Sequence, residues 1–145
     1  MKDQRGQKGQ ILIEFALLTP LVVLLLFAIL DVGILLLHRG TLDFAVREGS
    51  QEAAAGVPAA TVAAITAERS GGLLDAAGVE ICAPDADHVR VSGTYTWAWL
   101  SGPLVARLGG GQLGSVTLKP AADRRVELDA GATPAAPTPD APPCP

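Results

Sequence analysis

The chain has 145 residues, 49% apolar and only 4% aromatic, with a formal net charge of -4. That length suits one compact domain with appendages. An acidic balance with no basic patch interleaved with aromatics speaks against nucleic acid as a partner.

The first nine residues form a basic leader, in which Lys2, Arg5 and Lys8 stand against one acid, Asp3. From Ile11 to Leu37 the sequence then reads ILIEFALLTPLVVLLLFAILDVGILLL. A helix over this run is about 40 Å long, more than the ~30 Å hydrocarbon core of a bilayer, which predicts a membrane span over residues 10–38. Two acids interrupt it, Glu14 near its start and Asp31 near its end. An ionisable group at bilayer depth costs about 2.5–3.5 kcal/mol, so each acid is expected to be solvated among headgroups or to be paired. The basic leader places the N-terminus in the cytoplasm and the C-terminal part outside. A signal peptide has a similar layout, but this apolar run is longer than an h-region of about 7–15 residues, and HRGTLDFAVREGS after it offers no A-x-A cleavage site. Pro20 removes one helix hydrogen bond and is expected to kink the span.

Helical periodicity continues beyond the apolar run. Leu42, Ala45, Val46, Gly49 and Ala53 recur at three- and four-residue steps, predicting one helix from about Gln10 to Ala55. Asp43 and Arg47 have the spacing of an i,i+4 ion pair. Gly56 and Pro58 stop this helix, and residues 58–67 read as a second, alanine-rich one.

The period then changes to two. Val89, Val91, Gly93, Tyr95, Trp97 and Trp99 alternate with more polar residues, which predicts one strand over 89–99 with its aromatics on one face. Residues 79–82 form a shorter strand. Residues 113–119 form another, extending towards Leu128 past Pro120 as an edge strand or bulge. Leu104, Val105 and Leu108 belong to a short helical or irregular link. The tail over 129–145 is rich in proline and alanine and reads as disordered. The fold class expected is α+β: a long N-terminal transmembrane and amphipathic helix packed on a small antiparallel sheet, the domain outside the membrane covering 39–128.

Catalytic, cofactor-binding and metal-ligating patterns are not found. His38 follows the apolar run and suits a solvated interfacial position; His88 suits a loop. Gly109-Gly-Gly-Gln-Leu-Gly follows no strand and lacks the lysine of a phosphate loop, so a hairpin loop is the better reading. Trp97 and Trp99 suit core packing better than a binding platform. Cys82 and Cys144 have neither zinc nor C-x-x-C spacing. If the C-terminal part is exported they are free to form a disulfide, with unpaired thiols or an intermolecular bridge as alternatives.

Taken in order, these residues form a pattern: Gly9, then Glu14-Phe15 five and six positions on, Pro20 in the span, Asp31-Val32-Gly33, and Ala45-Val46-Arg47-Glu48-Gly49. The pattern resembles the TadE-like family of minor pilins, or pseudopilins, of the Tad (tight adherence) pilus and secretion system. Two C-terminal strands, Val89–Trp99 and Val116–Glu127, the latter closing on Arg125 and Glu127, also resemble the family. Pro120 and the charged run Asp123-Arg124-Arg125 depart from its more apolar last strand. The longer TadG-like relatives share the E-F-A-L-x-x-P opening, but their large extra domain has no room here.

The resemblance implies a pilin-like fold and a structural role in a Tad-type (type IVb, Flp) pilus, without enzymatic activity, cofactor or small-molecule substrate. A prepilin peptidase would cut between Gly9 and Gln10, and Glu14 and Phe15 would serve assembly. Expected partners are membrane lipid, that peptidase, other Tad pilins and pseudopilins, and the inner-membrane Tad assembly platform. The location implied is the cytoplasmic membrane, with possible incorporation in the pilus. The alternative is a single-pass anchor presenting an extracytoplasmic binding domain unrelated to pili.

Overall fold

The computed structural model describes residues 4–85, 87–126 and 140–144, with the backbone helix alone for 4–9. Helix α1 spans Gln4–Ala54 and continues through Pro20. Helix α2 covers Ala59–Arg69, with Pro58 at its N-cap, and a single 3-10 turn follows at Ala76–Gly78. The strands are β1 Val79–Asp85, β2 His88–Gly93, β3 Tyr95–Trp97, β4 Val116–Leu118 and β5 Ala121–Arg125; helix α3, Gly102–Arg107, lies between β3 and β4. This is the mixed α+β arrangement expected, a long apolar helix with small antiparallel sheets.

The chain divides into two compact units. One comprises residues 36–97 and 116–145. Its core joins Leu42, Val46 and Ala53 of α1 to Val62 of α2, Leu74, Ile81 of β1, and Val89 and Val91 of β2. The three- and four-residue spacing on α1 therefore meets the period-two face of β2, where Val89, Val91 and Gly93 are buried and His88, Arg90 and Ser92 are half-buried. Burying a side chain such as Val or Leu contributes about 1.5–3 kcal/mol, so these residues carry the unit's stability.

The aromatic strand is not continuous. Residues 89–99 divide at Thr94 into β2 and β3, which lie in different sheets. The first sheet has the order β1-β2-β5, and β3 pairs only with β4. At the division the Gly93 N–H donates to the Pro120 carbonyl at 3.1 Å. Pro120 sits between β4 and β5, so both chains change sheet together. Trp99 falls beyond β3. Likewise the single strand expected from residue 113 onward is two, separated by Lys119-Pro120. Proline lacks the N–H that a continuous ladder requires. Residues 110–115 form irregular backbone, in keeping with a loop.

The other unit comprises residues 1–35 and 98–115. Its α1 portion exposes nearly all its large apolar side chains, including Ile11, Leu17, Leu21 and Leu25. Among the described residues, Gln10–Ala54 is the one helix long and apolar enough to cross a membrane.

Candidate functional site

The candidate site is the apolar half of α1 and the residues that carry charge on it. Gly9 and Gln10 lie within the helix. Glu14 is exposed between Ile13 and Phe15, which are 66% and 68% exposed, and no hydrogen bond or ion pair to a described residue reaches its carboxylate. One turn on, the Thr19 hydroxyl donates to the Phe15 carbonyl at 2.7 Å, so that side chain satisfies itself on its own helix. A carboxylate on a lipid-facing helix has no such recourse and stays costly until a partner brings a positive charge.

Asp31 is arranged quite differently. It is fully buried. Its Oδ1 accepts the Leu100 N–H at 2.8 Å and its Oδ2 accepts the Ser101 N–H at 3.0 Å. Ser101 is the N-cap of α3, so the carboxylate takes up the two amides that lead into that helix. Solvation among headgroups, one of the two expectations for this residue, is thus replaced by pairing within the chain. Sequence reading missed the partner because it consists of backbone amides, which leave no residue-type signal.

His38 is also not simply solvated. Its Nδ1 lies 3.2 Å from the Tyr95 hydroxyl, and its ring meets those of Tyr95 and Trp97 edge to face at 5.6 and 5.0 Å. Trp97 is buried, as core packing requires. His88 begins β2, with Nδ1 2.7 Å from Asp85 Oδ1. Among the described residues no group of three or more His, Cys, Asp or Glu is placed to hold a metal.

The Ala45–Gly49 stretch is explained by its neighbours. Ala45 and Val46 are buried. Glu48 forms an ion pair with Arg69 of α2 at 3.0 Å. Gly49 lies against Thr66 of α2, with no room for a Cβ beside the Thr66 hydroxyl. Asp43 does not reach Arg47; it lies 4.0 Å from Arg39, an exposed contact of little energetic weight.

Cys82 and Cys144 are joined by a disulfide. Beside it, the Ala83 N–H donates to the Pro142 carbonyl at 2.9 Å and the Cys144 N–H to the Ala83 carbonyl at 3.2 Å. Residues 140–144 are therefore tied along β1, unlike the disorder expected across 129–145. The covalent link and the backbone bonds outweigh the proline-rich composition there. Residues 127–139 and 145, Glu127 among them, lie outside the described residues.

The family model described as TadE-like protein matches residues 9–51, along α1 from Gly9 to Gln51. No curated protein and no solved structure matches the chain. The match marks that segment of α1 as similar to the TadE-like family.

Proposed function

We propose that the chain is a minor pilin, or pseudopilin, that acts in assembly of a Tad-type pilus used for adhesion or secretion. The observation that carries this reading is the Glu14 carboxylate, without a partner among the described residues, on an exposed apolar helix, five residues after Gly9, within the segment that matches the TadE-like model. A prepilin peptidase removes residues 1–9 at the cytoplasmic face. Glu14 is then the fifth residue of the mature chain. In the assembled state its carboxylate meets the new Gln10 ammonium of a neighbouring subunit. Two opposite charges paired in low dielectric cost far less than two unpaired ones, so the pair sets the register in which apolar helices stack.

The chain reaches this state as a single-pass protein of the cytoplasmic membrane, with the basic leader inside and the sheet unit outside. The Cys82–Cys144 disulfide supports that orientation, because such bonds persist in oxidising compartments. Other Tad pilins and the inner-membrane assembly platform are its partners.

N-terminal sequencing of the protein from membranes that contain the peptidase tests the reading. Gln10 is expected as the first residue, and Gly9→Leu is expected to block the cut by bulk. A mature chain that begins at Met1 or Lys2 would overturn it in favour of a permanently anchored binding domain.

A further inference from the structure

The exposed apolar side chains have an uneven distribution. Among the described residues outside α1, the exposed large apolar ones are Leu100, Leu108 and Leu113. All three fall within residues 98–115, the segment that forms one compact unit with the apolar part of α1. That segment contains only one charged residue, Arg107, and it includes Trp99 and Pro103. The Asp31 carboxylate ties it to α1 through the Leu100 and Ser101 amides.

The position of Asp31 along α1 sets a depth. It lies 21 residues after Gln10, about 32 Å along a helix that crosses a hydrocarbon core of ~30 Å. A span that begins at Gln10 therefore brings Asp31, and the segment bonded to it, to the far boundary of the hydrocarbon. Tryptophan favours that layer, and a basic side chain beside apolar ones can reach lipid phosphates from it. A bare carboxylate at this boundary would repel phosphate headgroups and resist burial, but here its oxygens are occupied by backbone amides.

We propose that residues 98–115 form a second membrane contact: a short interfacial element, lying in the outer headgroup layer and fastened to the span by Asp31. Leu100, Leu108 and Trp99 enter the acyl boundary, and Arg107 faces lipid phosphates. This fixes the rotation of α1 about its own axis in the bilayer, because one side of the helix carries a surface-bound arm. The inference rests on the membrane span of the reading above, but not on cleavage or on pilus assembly.

The test uses the full chain reconstituted in phosphatidylcholine–phosphatidylglycerol vesicles. Trp97 and Trp99 are the only tryptophans, so the emission lost in Trp99→Phe belongs to Trp99. That emission is expected to be blue-shifted, quenched by lipids brominated at the top of the acyl chain more than by those brominated at its end, and shielded from aqueous acrylamide. Asp31→Ala is expected to reverse this pattern. The paired change Leu100→Ser with Leu108→Ser is expected to do the same with Asp31 left in place, and an unchanged urea midpoint of the sheet-bearing unit shows that either variant is folded. Trp99 emission open to acrylamide and indifferent to brominated lipid, in a chain that floats with the vesicles, would overturn the proposal alone. Failure to float would instead overturn the membrane span. Shielding that develops only as the protein-to-lipid ratio rises would assign the segment to a neighbouring protein and also overturn the proposal.

Discussion

Gly49 of α1 lies so close to Thr66 of α2 that a methyl group on it would overlap the threonine hydroxyl. The hydroxyl has little freedom to withdraw, because it donates to the Val62 carbonyl at 2.8 Å inside the core. Beside the crossing, Glu48 holds Arg69. The Glu48-Gly49 pair thus joins the two helices, one residue by absence of a side chain and the other by charge.

Gly49→Ala is expected to destabilise the sheet-bearing unit by about 1–3 kcal/mol, the range for forcing an extra carbon into a packed core. Thr66→Ala in the same chain is expected to restore much of that loss by removing the overlapping hydroxyl. Urea unfolding of the full chain in detergent, followed by near-ultraviolet circular dichroism, measures both. Gly49→Ala with an unchanged midpoint would refute the close packing.

The Cys82–Cys144 disulfide joins residues 62 apart in sequence. Closing a loop of that length in the unfolded chain is worth about 4 kcal/mol on the chain-entropy model. Cys144→Ser is expected to lower stability by up to that amount and to free the amide of Ala83 for faster hydrogen exchange, since its acceptor is the Pro142 carbonyl. The change is expected to leave exchange in α1 nearly untouched. An Ala83 amide that remains as protected as before would show that the tail docks without its covalent link.

Arg90 and Asp123 face each other across β2 and β5, with Nε 2.6 Å from Oδ1 and Nη2 3.0 Å from Oδ2. These hydrogen bonds hold the Asp123 carboxyl below its usual range. The His88 side chain does the same for Asp85. A depressed folded-state value means that the stabilisation is present above the ordinary carboxylate range and is lost as the pH falls through the folded value. Both sites are exposed, so the effect is small and weakened by salt. Arg90→Met is expected to lower the unfolding midpoint at neutral pH and low salt, with the difference from the parent protein vanishing in acid. A difference that persists unchanged in acid would assign the loss to packing of the arginine stem.

Glu14→Ala separates assembly from membrane insertion. Removing an unpaired acid from the bilayer edge helps insertion or leaves it unchanged. Removing one member of a buried pair costs about 3–5 kcal/mol, a factor of hundreds to thousands in association. A processed, membrane-resident protein that no longer supports filaments or co-purifies with its pilin partners is expected, and Glu14→Gln is expected to fail as well. Immunoblotting reads the processing and electron microscopy the filaments. Normal filaments with either variant would remove the carboxylate from assembly.

Local pattern sufficed for much of this molecule. The apolar run of α1, the helical spacing from Leu42 to Ala53, the stop at Gly56 and Pro58, and the alternation through Val89 and Val91 each reflect a period set by backbone geometry, which neighbouring residues reveal. The spacing from Gly9 through Glu14 to Asp31 likewise marked the TadE-like segment. Local pattern did not show that the aromatic strand changes sheet at Thr94, because period two is the same on either side of the break and Pro120, which receives the Gly93 N–H there, is distant in sequence. Nor did it give Asp31 its role. A carboxylate near the end of an apolar run is equally compatible with water, headgroups or a partner, and the partner here is a pair of backbone amides 69 and 70 residues away. Every residue but proline offers such an amide, so only the folded chain selects which two an aspartate will hold.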